Sequence, residues 1–173
     1  MKDITFHPVG VIHSSFKKTE RMPIQPAAAA GSKGRIEIFR EYADGLKDIE
    51  GFSHIILLYH FHQAAGFRLE VKPFLDEKYH GVFATRAPQR PNPIGLSIVK
   101  LVGRTGNILE IENVDILDGT PLLDIKPFVP EFDAIGEISI GWLANSKRKI
   151  IHSVSDGRFN SNFKTEDDDK PEI

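Results

Sequence analysis

Residues 81–97 read Gly-Val-Phe-Ala-Thr-Arg-Ala-Pro-Gln-Arg-Pro-Asn-Pro-Ile-Gly-Leu-Ser, and the chemistry offered there is recognition of anions and amides. Pro88, Pro91 and Pro93 fix φ and remove backbone donors, so neither a helix nor a central strand runs through them. The residue before each proline is pushed towards extended backbone. A stiff loop results, holding Arg86, Arg90 and Asn92 in set directions. Ordering such groups beforehand lowers the cost of binding a ligand. A rigid structural turn is the other reading of this loop.

A second stretch, residues 115–130, reads Asp-Ile-Leu-Asp-Gly-Thr-Pro-Leu-Leu-Asp-Ile-Lys-Pro-Phe-Val-Pro. Asp118-Gly119 is a turn signal. Thr120 and Lys126 each stand just before a proline. Two such loops in a small domain exceed what chain reversal needs.

These two stretches, Ala-Thr-Arg-x-x-x-Arg-Pro-Asn-Pro-Ile-Gly at 84–95 and Asp-Gly-Thr-Pro-x-x-Asp-Ile-Lys-Pro at 118–127, resemble the TrmO (YaeB/TsaA-like) family of S-adenosylmethionine-dependent tRNA adenine methyltransferases. Two further blocks agree in order and spacing: Val-Gly-Val-Ile-His-Ser at 9–14, and the apolar run from Phe52-Ser53-His54 to Phe61-His62-Gln63. The resemblance extends over about residues 6–133. It implies a cofactor pocket lined by Gln25, Pro26, Ala27, His62, Gln63, Arg86, Leu96 and Leu117, Asp118, Gly119 and Thr120. Ile24 stands where the family commonly has arginine, so that arginine's role is not carried over. The acceptor implied is the exocyclic nitrogen of threonylcarbamoyl-adenosine beside the anticodon, and a homodimer is implied as well.

Chemistry then suggests roles. Arg86 is a cation for the cofactor's carboxylate, Asp118 an acceptor for its ribose, Thr120 an added hydroxyl. Methyl transfer is an in-line displacement, so most of the rate comes from alignment. The acceptor nitrogen must also lose a proton; His62 and Asp118 are candidates to take it, and no catalytic residue is assigned. Arg90 and Lys126 are the cations expected to meet the substrate's carboxylate, with Asn92 on a ureido group or base edge. The unpaired anticodon loop suits recognition of splayed bases. Phe83, Tyr59 and Phe128 are possible stacking partners, each expected in the core.

Other function classes stay open. His60 and His62 would share a face of a strand, a spacing found in metal sites, with His54 or His80 as third ligand. That would make a cupin-like metalloenzyme, although no metal site is assigned. A non-catalytic module binding S-adenosylmethionine or a nucleoside is the third reading.

The elements that hold these residues read as strands. Residues 35–38, 109–112 and 137–140 alternate apolar and polar, as half-buried strands do. Residues 53–61 are nearly all apolar and suggest a strand covered on both faces. Residues 94–102 suggest another, long strand. Helical turns are expected only within 41–50, 74–79 and the alanines at 27–30. Many strands with Gly- and Pro-marked turns predict a mainly β fold, a single-sheeted antiparallel β-barrel with short helical segments. No strand leads into a GxGxxG turn and a helix, so a doubly wound nucleotide cradle is excluded and rim loops must bind any cofactor.

The chain has 173 residues, 40% hydrophobic and 27% charged, enough for one core. It lacks cysteine, which excludes disulfides and thiolate metal sites. No apolar run reaches membrane-spanning length and no signal core opens the chain, so a cytoplasmic protein is expected. Net charge is −2; residues 164–173 hold two lysines against five acids, a local −3, leaving +1 on the rest. We expect residues 1–145 to form the barrel domain. Residues 146–173 would be a basic run, Lys147-Arg148-Lys149, followed by an acidic disordered tail.

Overall fold

The computed structural model describes residues 3–133, 136–146, 154–156 and 159. Six strands close an antiparallel barrel in the order β1 (Gly10–Ser14), β2 (Lys33–Ile38), β7 (Ile108–Glu112), β6 (Ile94–Thr105), β3 (His54–His60) and β8 (Thr120–Pro127), with β8 returning to β1. A small ribbon, β4 (Glu70–Val71) with β5 (His80–Gly81), stands apart. The fold is the expected mainly β barrel.

Period-two patterning builds it. Along β6 every second residue up to Leu101 is buried, and β2 buries Ile36 and Ile38 while Arg35 and Glu37 face water. The interior is Ile12, Ile36, Ile55, Leu57, Val99, Leu109, Ile111 and Leu122, fully or almost fully buried. Val114 and Ile116, between β7 and β8, plug one end. A branched aliphatic side chain so buried contributes about 1.5–3 kcal/mol. The hairpin joining β6 to β7 turns at Gly106, whose φ of 63° suits the left-handed conformation such tight turns need.

Several sequence expectations change. Residues 53–61 are not covered on both faces: β3 buries Ile55, Leu57 and Tyr59 inward, while its outward residues stay half-buried. Residues 115–130 are not one loop, because β8 occupies 120–127. Pro121 is tolerated there because the bonds beside it run from Gly119 N–H to Ile12 O and from Val9 N–H to Leu122 O. Residues 137–140 form no strand, and Ile138 is exposed, since a closed barrel leaves no edge to extend. Residues 74–79 make only a turn at 74–75. Short 3-10 turns do occur at Arg40–Leu46 and Ile49–Gly51, overlapping the expected 41–50, and at Pro26–Ala28.

Strand directions decide where the site lies. The ends of β1, β3 and β7 and the starts of β2, β6 and β8 share one rim, as the pairings Ser14↔Gly34, Lys33↔Glu112, His60↔Ile94 and Ile12↔Thr120 show. The long excursion from β3 to β6 leaves and re-enters at this rim, tied where Phe61 N–H bonds Pro93 O at 2.8 Å. Trp142 braces it, stacking on His80 and donating from Nε1 to Ala84 O at 2.9 Å. Beyond residue 146, Ser155 exchanges backbone hydrogen bonds with Arg21 and Met22. The basic run 147–149 and the acidic run 166–172 lie outside the described residues.

The motif glycine Gly95 has a packing reason. It faces inward opposite Tyr59, and a Cβ there would overlap the Tyr59 ring. Gly95→Ala is expected to cost about 1–3 kcal/mol, the usual range for overpacking. A urea denaturation series would show it as a lower midpoint with an unchanged slope.

Candidate functional site

Every residue of the expected cofactor pocket that lies on a loop is brought to the one rim. Gln25 to Ala27 lie between β1 and β2, His62 and Gln63 follow β3, Arg86 precedes β6, and Leu117 to Gly119 precede β8. Thr120 and Leu96 open β8 and β6 at that rim, Thr120 buried and Leu96 facing outward, 44% exposed.

The proline loop is rigid for a further reason. Arg90 folds back so that its Nη1 donates to Thr85 O at 2.9 Å, Ala87 O at 3.3 Å and Val82 O at 3.4 Å. Thr85 Oγ1 donates to Val82 O and accepts from Ala87 N–H. Arg90 therefore staples its own loop. Its neighbour Arg86 is exposed and donates from Nη1 to Gln25 Oε1 at 3.2 Å, joining two of the loops. The Asn92 side chain is exposed and makes no hydrogen bond among the described residues.

The Asp118 loop is anchored on β1. Asp118 Oδ1 accepts Ser14 N–H at 3.0 Å, and its Oδ2 pairs with Lys17 Nζ at 2.6 Å. The Lys17 hydrogen bond, more than the others, holds the carboxyl below its ordinary range. Gly119 adopts φ 77°, which glycine takes without strain, and Thr120 Oγ1 donates to Leu117 O at 2.7 Å. Asp118 thus shapes the loop first. Beside it, His13, Lys17, Lys33 and Arg35 line a shallow concavity together with the acids Glu110 and Asp118.

Other expected residues fall elsewhere. Lys126 pairs with Ile56 near the start of β3, toward the opposite end of β8, and bonds Asp124 at 2.8 Å. β3 stops at His60, and His62 N–H turns back to His60 O, so the two histidines do not share a strand face. Among the described residues no three His, Cys, Asp or Glu side chains converge as a metal site. Burial, then the neighbouring His60, lowers the His62 pKa, which keeps its ring neutral at pH 7. Phe83, expected in the core, is 77% exposed, whereas Tyr59 is buried.

Sequence reasoning missed a polar string inside the barrel mouth. Tyr59 Oη lies 3.1 Å from Ser97 Oγ, and Ser97 Oγ donates to Asp115 Oδ1 at 2.7 Å. Ser97 has one proton, so Tyr59 donates to Ser97 and Ser97 to Asp115. Burial pushes the Asp115 carboxyl up to about 6, against the pull of Ser97 and of the Arg86 charge. Burial and the Asp115 charge raise Tyr59, which stays a neutral phenol. The available signals were a tyrosine ending an apolar strand, a glycine and a serine two apart on the facing one, and an acid in an apolar plug.

Comparison with known proteins finds relatives of the same fold. The family model described as the tRNA-methyltransferase O N-terminal domain matches residues 11–134. A probable S-adenosyl-L-methionine-binding protein of Pyrococcus abyssi is 58% identical over 156 residues, covering 90% of this chain and 85% of that protein. The tRNA (adenine(37)-N6)-methyltransferase of Escherichia coli is 36% identical over 152 residues, covering 82% of this chain and 65% of that enzyme. The crystal structure of TrmO from Pseudomonas aeruginosa superposes with a TM-score of 0.69 at 38% identity, covering 82% of this chain and 63% of that one. The chain therefore spans somewhat less than two thirds of those last two proteins.

Asp115 links stability to pH. A carboxyl whose folded pKa of about 6 exceeds its ordinary 3.8 favours folding when protonated. That contribution is full below pH 3.8 and is lost as pH rises through about 6, with a slope of at most about 1.4 kcal/mol per pH unit. Asp115→Asn keeps an acceptor for Ser97 and cannot ionise. Denaturation between pH 4 and 7.5 should show the variant gaining on the wild type by about 2 kcal/mol as pH rises.

Proposed function

The chain belongs to the tRNA-methyltransferase O family, and on that premise we propose that it methylates the exocyclic N6 of an adenosine in tRNA, using S-adenosylmethionine. The substrate proposed is threonylcarbamoyl-adenosine beside the anticodon. The observation that carries this reading is the convergence on one rim of Gln25, His62, Arg86 and the 117–120 loop from four separate stretches of sequence.

These residues fit the cofactor. Arg86 is exposed and spends one bond on Gln25, so it retains donors for a carboxylate. Gln25 and Gln63 bring amides that can address an adenine edge, and Leu96 an apolar surface. When bound, S-adenosylmethionine supplies an electrophilic methyl group on a cationic sulfur. The chain's part is to align the acceptor nitrogen and to take its proton. His62, neutral at pH 7, is the rim group suited to that proton. Arg90 acts by keeping its loop rigid, and Asn92 and the exposed Phe83 face the RNA, Phe83 stacking on an unpaired base. Lys17, Lys33 and Arg35 would meet RNA phosphates.

A homodimer fits the outside of the barrel. Ile94, Leu96 and Ile98 on β6 are 39%, 44% and 37% exposed in a row, beside the half-buried Ile56 and Leu58 of β3. Cytoplasmic location follows from the substrate proposed; no helix among the described residues is long and apolar enough to cross a membrane.

The test is methyl transfer from labelled S-adenosylmethionine to tRNA carrying the unmethylated nucleoside, read by mass spectrometry of the digested tRNA. One methyl on that nucleoside, with Arg86→Ala weakening cofactor binding by about ten-fold or more, is the expected result. Binding without transfer would favour a non-catalytic module, which the name of the Pyrococcus abyssi relative also fits. For the dimer, sedimentation at micromolar concentration should give twice the chain mass, and Ile98→Asp should give monomer.

A further inference from the structure

Asp115 is an expensive choice for the work it visibly does. Among the described residues Ser97 is the one other residue that hydrogen-bonds its carboxyl, and an asparagine would accept that bond without any ionisation cost. Among the described residues its Oδ2 has no partner from another residue. The side chain is not sealed, however: Asp115 keeps partial contact with solvent, unlike Val114, Ile116 and Leu117 around it. It sits at the mouth of the barrel, two residues before Leu117 and within the electrostatic reach of Arg86.

We propose that Asp115 is the counter-ion for a cationic centre of the bound S-adenosylmethionine, its sulfonium or its ammonium, with Tyr59 and Ser97 holding the carboxylate in place. This rests on the reading of the rim as the cofactor site. Among the described residues Asp115 has one hydroxyl donor besides its own backbone N–H, and no ion pair, so its charge is under-compensated until a cation arrives. Arg86 supplies only a partial remedy, because its guanidinium is bonded to Gln25 and faces the solvent side of the rim. An incoming cation stabilises the ionised carboxyl, and by linkage the ionised carboxyl holds the cation. With the folded-state pKa of the free protein at about 6, binding at pH 7.5 needs no proton release, whereas below about pH 6 it must expel a proton from Asp115. The groups around the carboxyl are Tyr59 from β3, which stays neutral, Ser97 from β6, which does not titrate, and the Arg86 guanidinium from the loop. His62 at the same rim titrates below its ordinary value and is the group the variants must be compared against.

The test is calorimetric titration of the full chain with S-adenosylmethionine and with S-adenosylhomocysteine between pH 5 and 8, for wild type, Asp115→Asn and Ser97→Ala. Wild-type affinity for S-adenosylmethionine should be level above about pH 6.5 and fall through pH 6 by up to about ten-fold per unit. Asp115→Asn should lose that fall and bind about ten-fold more weakly at pH 7.5. Ser97→Ala removes a donor that favours the ionised form, so its fall should begin at higher pH; this variant carries the test if Asp115→Asn proves unfolded by circular dichroism. A fall shared by S-adenosylhomocysteine assigns the ammonium, and a fall confined to S-adenosylmethionine assigns the sulfonium. A folded Asp115→Asn with wild-type affinity and pH profile overturns the proposal and leaves the methyltransferase reading standing. Absence of wild-type binding at every pH overturns that reading, and this proposal with it.

Discussion

Closure of the barrel by the β1–β8 ladder is the constraint from which the site follows. Gly10↔Leu122 and Ile12↔Thr120 join the first strand to the last and leave no free edge. Once the ring is closed and every pairing antiparallel, the loops before β2, β6 and β8 and those after β1, β3 and β7 share a rim by necessity. Four stretches far apart in sequence thereby meet. Without closure the Gln25 loop and the Arg86 loop would have no reason to touch, and the bond from Arg86 to Gln25, 61 positions apart, would not form.

The barrel interior changes character along its axis. Away from the rim it is aliphatic; at the mouth it holds Tyr59, Ser97 and Asp115. The Tyr59 ring fits because Gly95 opposite has no side chain, and the register shift between Leu58 and Tyr59 lets β8 bend beside it. A buried polar string of this kind is costly unless satisfied, and here each donor has an acceptor. What remains under-compensated is the charge on Asp115. Charge that a fold leaves unmatched in a binding mouth is a common mark of function.

Rigidity comes from outside the barrel as well. The loop carrying Arg86 is stiffened by three prolines, by the Arg90 staple and by the Trp142 brace on Ala84. Two arginines four positions apart so take opposite duties, one turned in to hold carbonyls and one turned out to bond the Gln25 loop. Nothing in their local sequence distinguishes them.

The chain alone specified the strands at 35–38, 94–102 and 109–112, yet the same alternation at 137–140 formed no strand, because a period of two marks a face for the core and not whether a partner strand is there to pair with it. It also carried the motifs that mark the family and the turn at Asp118-Gly119. It did not reveal that 120–127 is a strand, since prolines forbid a ladder bond at their own nitrogen and say nothing about the neighbours that supply it. Nor could it separate Arg86 from Arg90, place Lys126 away from the rim, or join Tyr59, Ser97 and Asp115. Those outcomes depend on strand register, on which end of the ring each loop leaves, and on which carbonyls lie within reach of a guanidinium. These are distances between residues remote in sequence, and only the closed barrel fixes them.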